Sequence, residues 1–450
     1  MHILFFSHYF PPEVNAPATR THDHCRRWVA AGHRVTVITC APNCPSGIVF
    51  DGYRNKWRQE EMIDGIRVLR VWTYLSPNKG LLKRVANYVS YLVSATLRAA
   101  SARNVDVIVA TSPQFFCGWA GVLCSRLLRR PFLLEVRDIW PESIVTVGAI
   151  KSRTTRRLLE WLERRMYAAA GRIVTVGNGY RERLLSRGVP ADKIAVIPNG
   201  VDVRQFAPLI ASPADGVPVA NDGKFVCAYI GTVGMAHGLE VILRAAQKLK
   251  SSGRSDVEFW IVGDGADRSR LQHEAESRGL TNVFFTGLVP KTCMPGLIAA
   301  CNACLVHLKQ AELFETVIPS KIFEIMAMSV PVIMGVRGQA RTIVEEGGAG
   351  LAMTPEDEDS LIAAINAIQS DPAAFCGGRS YVTSHFDRNV LARRMLDELT
   401  VLVEGSCKND GRILSEPEFA DTPVPIPEPA GRRIALTGSR SARPKPSCSL

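Results

Sequence analysis

Short runs of consecutive apolar residues alternate along the first half of the chain with longer stretches in which apolar residues recur at helical spacing. A run of this length, bounded by turn residues, is typical of a strand that is buried on both faces of a sheet. The runs are HILFFS (2–7), RVTVIT (34–39), VDVIVAT (105–111), FLLEVRD (132–138), RIVTVG (172–177) and IAVIPN (194–199). Their alternation with helix-length segments predicts a parallel sheet with helices on both faces.

A second series of apolar runs begins at residue 225 and follows the same pattern. It consists of FVCAYIG (225–231), EFWIVGDG (258–265), VFFTG (283–287), ACLVHL (303–308) and PVIMG (331–335). The segment between the two series, residues 208–223, is rich in Pro, Ala and Asp and is typical of a linker. We therefore predict an α/β protein with two Rossmann-like domains, at residues 1–204 and 205–382.

The end of the chain departs from this pattern. Residues 383–405 include a helical stretch, and five prolines follow between Pro417 and Pro429. Such a composition buries too little apolar surface to offset the entropy of folding. We expect residues 406–450 to form a disordered tail.

Length and composition agree with two domains. The chain has 450 residues, 46% of them apolar, which is enough for two separate cores. No apolar run approaches the roughly 18 residues of a membrane span, and residues 1–10 lead directly into a strand without a charged leader. We expect a cytoplasmic protein that neither crosses a membrane nor is exported, with its twelve cysteines as reduced thiols.

Positive charge is concentrated in the first half of the chain. Residues 1–200 contain 29 Lys and Arg against 14 Asp and Glu, a balance of +15, whereas the remainder has a balance of −4. This asymmetry indicates an anionic partner, such as lipid headgroups, a phosphorylated acceptor or nucleic acid. No helix-turn-helix, zinc-finger or RNA-stacking signature is present, which argues against nucleic acid.

Residues 79–103 mix Lys and Arg with Leu, Val and Tyr. A basic segment of this kind favours contact with an anionic membrane surface and a lipid-diphosphate acceptor. A helix that packs on its own domain would show much the same pattern, so both interpretations stay open.

The loops that follow the strands are the candidate site, because open parallel sheets bind ligands at the carboxyl ends of their strands. The first loop, residues 7–20, contains three prolines and lacks the G-x-G-x-x-G fingerprint of dinucleotide-binding dehydrogenases. Asn199 and Gly200 form a sharp turn where the chain leaves the first domain. These loops predict a ligand other than a dinucleotide cofactor.

Four glycines follow strands of the second domain. Gly231 and Gly234 precede a helix, where backbone N–H groups can face a phosphate. Gly263 and Gly265 permit close backbone approach to a flat base. Turn geometry alone would explain the second pair equally well.

The most informative segment is PSKIFEIMAMSVPVI, residues 319–333. Ser320 is positioned to cap a helix whose first turns carry Lys321 and Glu324. The N–H groups and the dipole at such a helix start favour a diphosphate. Glu324 follows Ser320 by one turn, so its carboxylate can accept hydrogen bonds from ribose hydroxyls. This segment predicts a nucleotide-diphosphate site.

Seven motifs in this order resemble glycosyltransferase family 4, whose members are retaining enzymes with two facing Rossmann-like domains, the GT-B arrangement. The motifs are FPPE (10–13), AGHRVTVIT (31–39), VRDIWPES (136–143), IPNGVD (197–202), VGDG (262–265), FTGLVP (285–290) and PSKIFEIMA (319–327). The resemblance covers about residues 1–404 and is closest to the WbuB-like subgroup, which resembles amino-deoxysugar transferases of surface-polysaccharide assembly. It implies that the C-terminal helix, residues 383–405, crosses back to the first domain.

The resemblance assigns the donor site to the second domain. Glu324 matches the glutamate that holds the donor ribose, whereas Thr316 replaces the second family carboxylate. Thr232 and His237 occupy the loop in which the family commonly places cations on the donor phosphates, so Lys321 is the preferred phosphate ligand. The expected donor contacts are Gly231, Gly234, His237, Gly263, Gly265, Ser320, Lys321 and Glu324.

In the first domain, Arg137 and Asp138 match the family's catalytic His-Asp pair, with Arg in place of His. Asn15, Ala16 and Pro17 replace the family's Gly-rich acceptor loop. The resemblance thus implies catalytic roles for Asp138, Glu142 and Lys321. The expected acceptor side consists of Asn15, Arg20, Arg137 and Asn199.

The resemblance also implies a mechanism in which the leaving diphosphate helps to deprotonate the acceptor, without a protein nucleophile. The protein then contributes positioning and charge stabilisation. We expect no cofactor and no metal, because the single Cys-x-x-Cys pair, Cys301 with Cys304, lacks the second pair of a zinc site. The expected substrates are a UDP-linked sugar, such as an N-acetylated L-fucosamine, and a lipid-linked or oligosaccharide acceptor at the inner face of the cytoplasmic membrane.

Two alternatives remain compatible with the sequence. The first is an epimerase or hydrolase of the same fold, which would act on a nucleotide sugar without an acceptor. The second is a non-catalytic subunit of a polysaccharide-assembly complex, suggested by Thr232, His237 and Thr316 in place of the usual family residues.

Overall fold

Two open sheets, one in each half of the chain, form the framework of the protein. The computed structural model describes residues 1–44, 46–75, 81–112, 114–139, 152–208 and 223–410. The linker predicted at 208–223 lies largely outside these residues, as does the predicted tail beyond residue 410.

The first sheet is built from strands that are almost entirely buried, apart from one edge strand. The strands are β1 (His2–Phe6), β2 (Arg34–Cys40), β3 (Gln59–Ile63), β4 (Ile66–Val71), β5 (Val107–Thr111), β6 (Phe132–Val136), β7 (Arg172–Thr175) and β8 (Ile194–Val196). Their order is β3-β4-β2-β1-β5-β6-β7-β8, and all pairs are parallel except β3 with β4.

The second sheet is parallel throughout. Its strands are β9 (Phe225–Ile230), β10 (Val257–Val262), β11 (Val283–Gly287), β12 (Ala303–His307), β13 (Val332–Gly335) and β14 (Gly350–Ala352), in the order β11-β10-β9-β12-β13-β14. The predicted α/β architecture with two parallel sheets is therefore confirmed.

Helices connect the parallel strands and cover the sheets. In the first half they are α1 (Ala16–Ala30), α2 (Leu81–Ala99), α3 (Phe115–Leu128), α4 (Arg153–Ala169) and α5 (Asn178–Ser186). The second half contains α6 (Glu240–Ser251), α7 (Arg268–Ser277), α8 (Met294–Ala299), α9 (Glu312–Glu315), α10 (Lys321–Ala327), α11 (Gln339–Glu346), α12 (Glu358–Ser370), α13 (Gly378–His385) and α14 (Arg388–Asp410). None of these helices is long and apolar enough to span a bilayer within the described residues.

The antiparallel hairpin of β3 and β4 was absent from the sequence prediction. Its outer strand alternates half-buried and exposed residues, so it lacks a continuous apolar run. Asp64 and Gly65 form the tight turn, with φ angles of 49° and 75°. An Asp-Gly pair is the signal for a two-residue hairpin turn, and it is the feature from which the hairpin could have been predicted.

The last helix returns to the first domain, as predicted. Met395 and Leu399 of α14 are buried in the same core as Cys25 and Trp28 of α1. The indole N–H of Trp28 donates a hydrogen bond of 2.9 Å to the carbonyl oxygen of Ala392. The helix therefore closes one face of the first sheet, and it continues to Asp410.

Two segments of the chain connect the domains, one at Gly200 and Val201 and the other at Phe386 and Asp387. These two passages between the domains are in contact. Val201 pairs with Asp387 in a parallel bridge, and its N–H donates to the carbonyl oxygen of Phe386 at 3.0 Å. A Cβ atom on Gly200 would lie 2.1 Å from that same oxygen, so only glycine fits. The sharp turn predicted at Asn199 and Gly200 is therefore wrong: the backbone there has no turn, and the glycine is required by this close contact instead.

Substitution of single residues in the returning helix α14 tests how much the helix contributes to the stability of the protein. We expect Met395→Ala to lower the free energy of unfolding by about 2–5 kcal/mol, since Met395 is fully buried. Val401→Ala, at an exposed position of the same helix, should change it by less than about 0.5 kcal/mol. Urea unfolding followed by circular dichroism measures both, and equal effects would show that the helix contributes nothing through this core.

Candidate active site

Two cavities lie between the domains and share Asn199. The first, of about 280 Å³, is lined by residues of α1, of the passage and of α10. It brings together five predicted site residues, namely Asn15, Arg20, Asn199, Ser320 and Glu324. The second, of about 310 Å³, is lined by Arg137, Asp138, Tyr180, Asn199 and Thr316 among others. Glu142, predicted as catalytic, lies outside the described residues.

Arg20 holds the passage between the domains. Its Nε donates to Glu135 at 2.7 Å, and its terminal nitrogens donate to the carbonyl oxygens of Pro198 at 2.6 Å and Ile197 at 2.9 Å. Thr111 donates to the other oxygen of Glu135 at 2.6 Å. Burial alone would raise the pKa of Glu135, but the charges of Arg20 and other neighbours lower it to about 2. Arg20 is thus committed to a buried ion pair and to positioning the loop that carries Asn199.

Lys321 is the most unusual group in the cleft. Its Nζ lies 4.0 Å from the centre of the Tyr229 ring and is buried without a hydrogen-bonding partner. Burial lowers the pKa of the ammonium group to about 7. A Cβ atom on Gly231 would lie only 2.9 Å from Nζ, so the glycine makes room for the lysine. A buried ammonium without a partner is costly, and an oxyanion beside it would supply both charge and acceptor.

Ser320 precedes α10 but does not cap it, so this part of the prediction is wrong. Its backbone is helical, with φ −58° and ψ −22°, whereas capping requires an extended residue. Its hydroxyl instead accepts a hydrogen bond of 3.3 Å from the amide of Asn199, across the cleft. The N–H groups of Ile322 and Phe323 bond to the carbonyls of residues 319 and 320. These two N–H groups are therefore not free to bind an anion, and the charge of Lys321 remains the candidate anion-binding feature of this segment.

Glu324 faces the first cavity from the next turn of α10. Its side chain lies between Lys291 and Arg388, which also line this cavity. Burial raises the pKa of the carboxyl group, and the charges of Lys291 and Arg388 oppose this rise. Glu324 makes no side-chain hydrogen bond with the described residues, so its oxygens are available to the hydroxyl groups of a ligand.

The predicted glycines serve mainly to pack two loops together. Gly263 has a φ of 137°, and a Cβ atom there would lie 1.9 Å from the carbonyl oxygen of Gly231. A Cβ atom on Gly265 would lie 2.3 Å from the carbonyl oxygen of Val233. The N–H groups of Gly231 and Gly263 are already bonded, to Val262 and Gly287 respectively. These two N–H groups are therefore not open to a phosphate, contrary to the prediction for Gly231.

His237 closes the same loop without adding a cation. Its Nδ1 lies 3.2 Å from the carbonyl oxygen of Gly234, and its ring contacts Tyr229 edge-on. Burial and the neighbouring Lys321 lower the pKa of His237. Since this shift favours the neutral ring at pH 7, His237 adds no positive charge to this loop.

Arg137 and Asp138 follow β6 and line the second cavity. The N–H of Arg137 donates to the hydroxyl of Ser112 at 2.9 Å, which fixes the backbone at the strand end. One terminal nitrogen of its guanidinium is buried without a partner, and burial lowers the pKa of the group to about 10. The cavity thus presents an unsatisfied cationic donor close to Asp138 and Tyr180.

A network of charges at the rear of the first cavity escaped the sequence prediction. Arg388 donates to Asp23 at 2.5 Å and to the carbonyl oxygen of Gly200 at 3.0 Å. Arg27 links Asp23 to Asp202, with a hydrogen bond of 3.0 Å to the latter. Asp23 and Arg27 lie on α1, whereas Asp202 and Arg388 belong to the two segments that connect the domains, so the network matches no sequence motif. Their ion pairs and hydrogen bonds link the two segments that connect the domains.

No group of three or more His, Cys, Asp or Glu side chains is arranged to hold a metal ion within the described parts of the chain. The candidate chemical groups are therefore Glu324 in the first cavity, Arg137 and Asp138 in the second, and the buried ammonium of Lys321 one turn before Glu324.

Replacing Lys321 tests how much its unpartnered ammonium group lowers the free energy of unfolding. We expect Lys321→Met to raise the free energy of unfolding by about 1–3 kcal/mol at pH 7, because an unpaired buried charge is removed. The unfolded lysine titrates near 10.5 and the folded one near 7, so between these pH values the unfolded state binds the extra proton. Wild-type stability therefore rises with pH by up to about 1.4 kcal/mol per unit relative to the variant. Urea unfolding at pH 7 and pH 9 should show the variant's advantage shrinking; an advantage that grows with pH would contradict the buried-charge assignment.

Comparisons with known proteins agree with this geometry. A family model described as a glycosyl transferase 4-like domain matches residues 15–200, and one described as glycosyl transferases group 1 matches residues 224–371. WcaI of Escherichia coli K12, named as a colanic acid biosynthesis glycosyl transferase, is 25% identical over 414 residues, covering 89% of this chain and 100% of WcaI.

Solved structures share the same fold. Sucrose-phosphate synthase from Thermosynechococcus elongatus matches with a TM-score of 0.66 at 19% identity, over 90% of this chain and 99% of that one. HepE from Anabaena, solved with UDP and glucose, matches with a TM-score of 0.63 at 21% identity, over 88% and 99% of the two chains. Two family domains in this order, on two parallel sheets around one cleft, show that the chain belongs to the glycosyltransferases of the GT-B fold.

Proposed function

We propose that this enzyme is a retaining, WbuB-like glycosyltransferase of surface-polysaccharide biosynthesis. It moves an N-acetylated amino-deoxysugar, such as L-fucosamine, from a UDP-linked donor to a lipid-linked or oligosaccharide acceptor. The observation that carries the proposal is the buried, unpartnered ammonium of Lys321 one turn away from Glu324. The similarity to WcaI and the UDP bound by HepE support this choice of pathway and donor.

The donor lies with its diphosphate on Lys321 and its ribose on Glu324. A diphosphate oxygen supplies the acceptor that Nζ lacks, and its negative charge stabilises the protonated lysine. The Glu324 carboxylate accepts hydrogen bonds from the two ribose hydroxyls one helical turn further on. The base lies beside Gly263 and Gly265, which follow the end of β10.

Charge stabilisation of the departing diphosphate is the main catalytic contribution of this chain. The bond from the sugar carbon to the diphosphate oxygen breaks, and the electron pair leaves with the UDP. Lys321 stabilises that charge in a site already shielded from water. Asp138, in the second cavity, faces the cationic sugar carbon, and the acceptor hydroxyl passes its proton to the leaving phosphate. Glu142 stays a predicted second carboxylate of this region.

The acceptor enters on the side of the second cavity. The unsatisfied donor of Arg137 suits a phosphate of a lipid diphosphate, with Asn199 and Asn15 at the border between the cavities. A lipid-linked acceptor requires the enzyme to work at a membrane surface. We infer peripheral contact with the inner face of the cytoplasmic membrane, in keeping with the basic first half of the chain.

Product analysis tests the function itself. Purified enzyme, membranes containing polyprenyl-diphosphate sugars and a panel of UDP- and GDP-sugars should give acceptor-dependent release of the nucleoside diphosphate. Conversion of the donor without an acceptor would indicate the epimerase or hydrolase instead. Tight donor binding without any release would indicate the non-catalytic subunit.

Two substitutions test the donor contacts. Glu324→Ala should weaken UDP binding about tenfold, which corresponds to the loss of hydrogen bonds to a charged group. Lys321→Ala should lower kcat by at least about 100-fold, because its charge acts mainly on the departing diphosphate. Isothermal titration and steady-state kinetics measure these effects. Glu345→Ala and Lys250→Ala, at exposed positions of the same domain, serve as controls, and wild-type values for both site variants would defeat the assignment.

Proton uptake on nucleotide binding tests the ionisation of Lys321. At pH 8 the free lysine is mostly neutral, since its pKa is about 7, and the diphosphate raises that pKa on binding. Wild-type enzyme should therefore take up close to one proton per UDP at pH 8. Calorimetry in two buffers of different ionisation heat measures this number, and Lys321→Met should reduce it to near zero. Equal uptake by both proteins would assign the proton to another group.

A further inference from the structure

Three neighbouring helices of the first domain expose apolar side chains away from their core. The inner sides of α2, α3 and α4 share one core, which includes Tyr91, Ala120 and Met166. Helix α3 packs between the other two. The outer sides carry Val93, Leu97, Leu123, Leu127, Leu158 and Trp161, all exposed. These six side chains are called the three-helix face below.

The spacing of these residues shows that each pair lies on one side of its helix. Val93 and Leu97 are four positions apart, as are Leu123 and Leu127, and Leu158 and Trp161 are three positions apart. Leu97 is 65% exposed, Leu127 58% and Leu158 55%, so the described parts of the chain leave all three side chains open. A single exposed apolar residue is ordinary, whereas pairs on three adjoining helices indicate an interaction surface.

The charge around this face has one sign. Between Val71 and Leu134 the chain contains eight Lys and Arg residues and a single acidic residue, Asp106. Arg126 and Arg129 are exposed beside Leu127, on a helix without acidic residues. On α4 the exposed basic residues are Arg153, Arg156, Arg157, Arg164 and Arg165. The surface is therefore a cluster of apolar side chains within a field of positive charge.

The acidic residues of α4 offset only part of this charge. Glu163 is buried, and it accepts hydrogen bonds from Tyr167 and Arg187. Glu160 pairs with Arg156 at 2.7 Å. Arg165 lies 5.2 Å from the centre of the Trp161 ring, so an aromatic ring and a guanidinium reach the solvent together.

We propose that the three-helix face docks on an anionic lipid bilayer. The leucine and tryptophan side chains enter the boundary between headgroups and acyl chains, and the arginines bind lipid phosphates. Charge complementarity favours this occupant, because a protein partner would need a matching acidic surface and gains nothing from the paired Trp161 and Arg165 at a headgroup boundary. The inference rests on the proposed function only for the purpose of the contact, namely access to a lipid-linked acceptor.

Vesicle flotation tests the proposal with matched variants. Wild-type protein should float with phosphatidylcholine vesicles that contain about 30% phosphatidylglycerol and stay behind with pure phosphatidylcholine. Leu127→Glu and Trp161→Glu should each reduce the floated fraction at least fivefold. Val401→Glu changes an equally exposed residue on α14 by the same charge and should float like the wild type.

Fluorescence quenching locates the contact. Doxyl-labelled lipids should quench wild-type tryptophan emission, and Trp161→Phe should keep flotation while losing most of that quenching. Wild-type protein that does not float with the anionic vesicles would overturn the proposal, as would loss of flotation in Val401→Glu to the extent seen in Leu127→Glu. UDP affinity, measured without vesicles, should be unchanged in every variant. A failure at the membrane is thereby separated from a failure of the donor site.

Discussion

The buried ammonium group of Lys321 has no hydrogen-bonding partner within the protein, and the chemistry of the cleft depends on this unsatisfied charge. Folding keeps it because Gly231 leaves space for the lysine and the Tyr229 ring offers a weakly attractive surface. Neither contact replaces a counter-ion. An oxyanion bound beside Lys321, as proposed above, supplies the missing acceptor and offsets part of the free-energy cost of burying the charge.

The positions of the other site residues follow from how the domains are joined. Arg20 and Glu135 form a buried pair that holds the carbonyls of Ile197 and Pro198, and thereby the loop that presents Asn199. Asn199 in turn contacts Ser320 of the second domain. Arg20, which the sequence assigns to the acceptor side, thus binds the backbone next to Asn199. Through the contact of Asn199 with Ser320 it also helps to position the segment that begins at Ser320.

Sequence patterns predicted the framework well because buried parallel strands produce continuous apolar runs. The runs at 2–7 and 225–231, for example, coincide with β1 and β9. The edge strand β3 escaped because one of its faces is open to solvent, so half-buried and exposed residues alternate along it without a continuous apolar run. The pattern identified the border strands β8 and β11, and it missed the β3–β4 hairpin and β14 at the opposite borders of the two sheets.

The site was less predictable, because the residue types in a motif do not show which groups contact them in the folded protein. Ser320 has the composition of a cap, yet the preceding turn is already helical, and its hydroxyl bonds across the cleft instead. Gly231 has the composition of a phosphate loop, yet its N–H is used by Val262. Lys321 was predicted from its residue type as the cation of this segment, but nothing in the sequence indicates that its charge is buried against an aromatic ring.

The contact between the two connecting segments, at Gly200 and Phe386, restricts how the domains can move relative to each other. Two covalent connections that run side by side, joined by the bridge of Val201 with Asp387, restrain sliding and separation of the lobes far more than they restrain turning. We therefore expect any change in the width of the cleft to be a rotation about these two adjacent connections, with each domain moving as a unit.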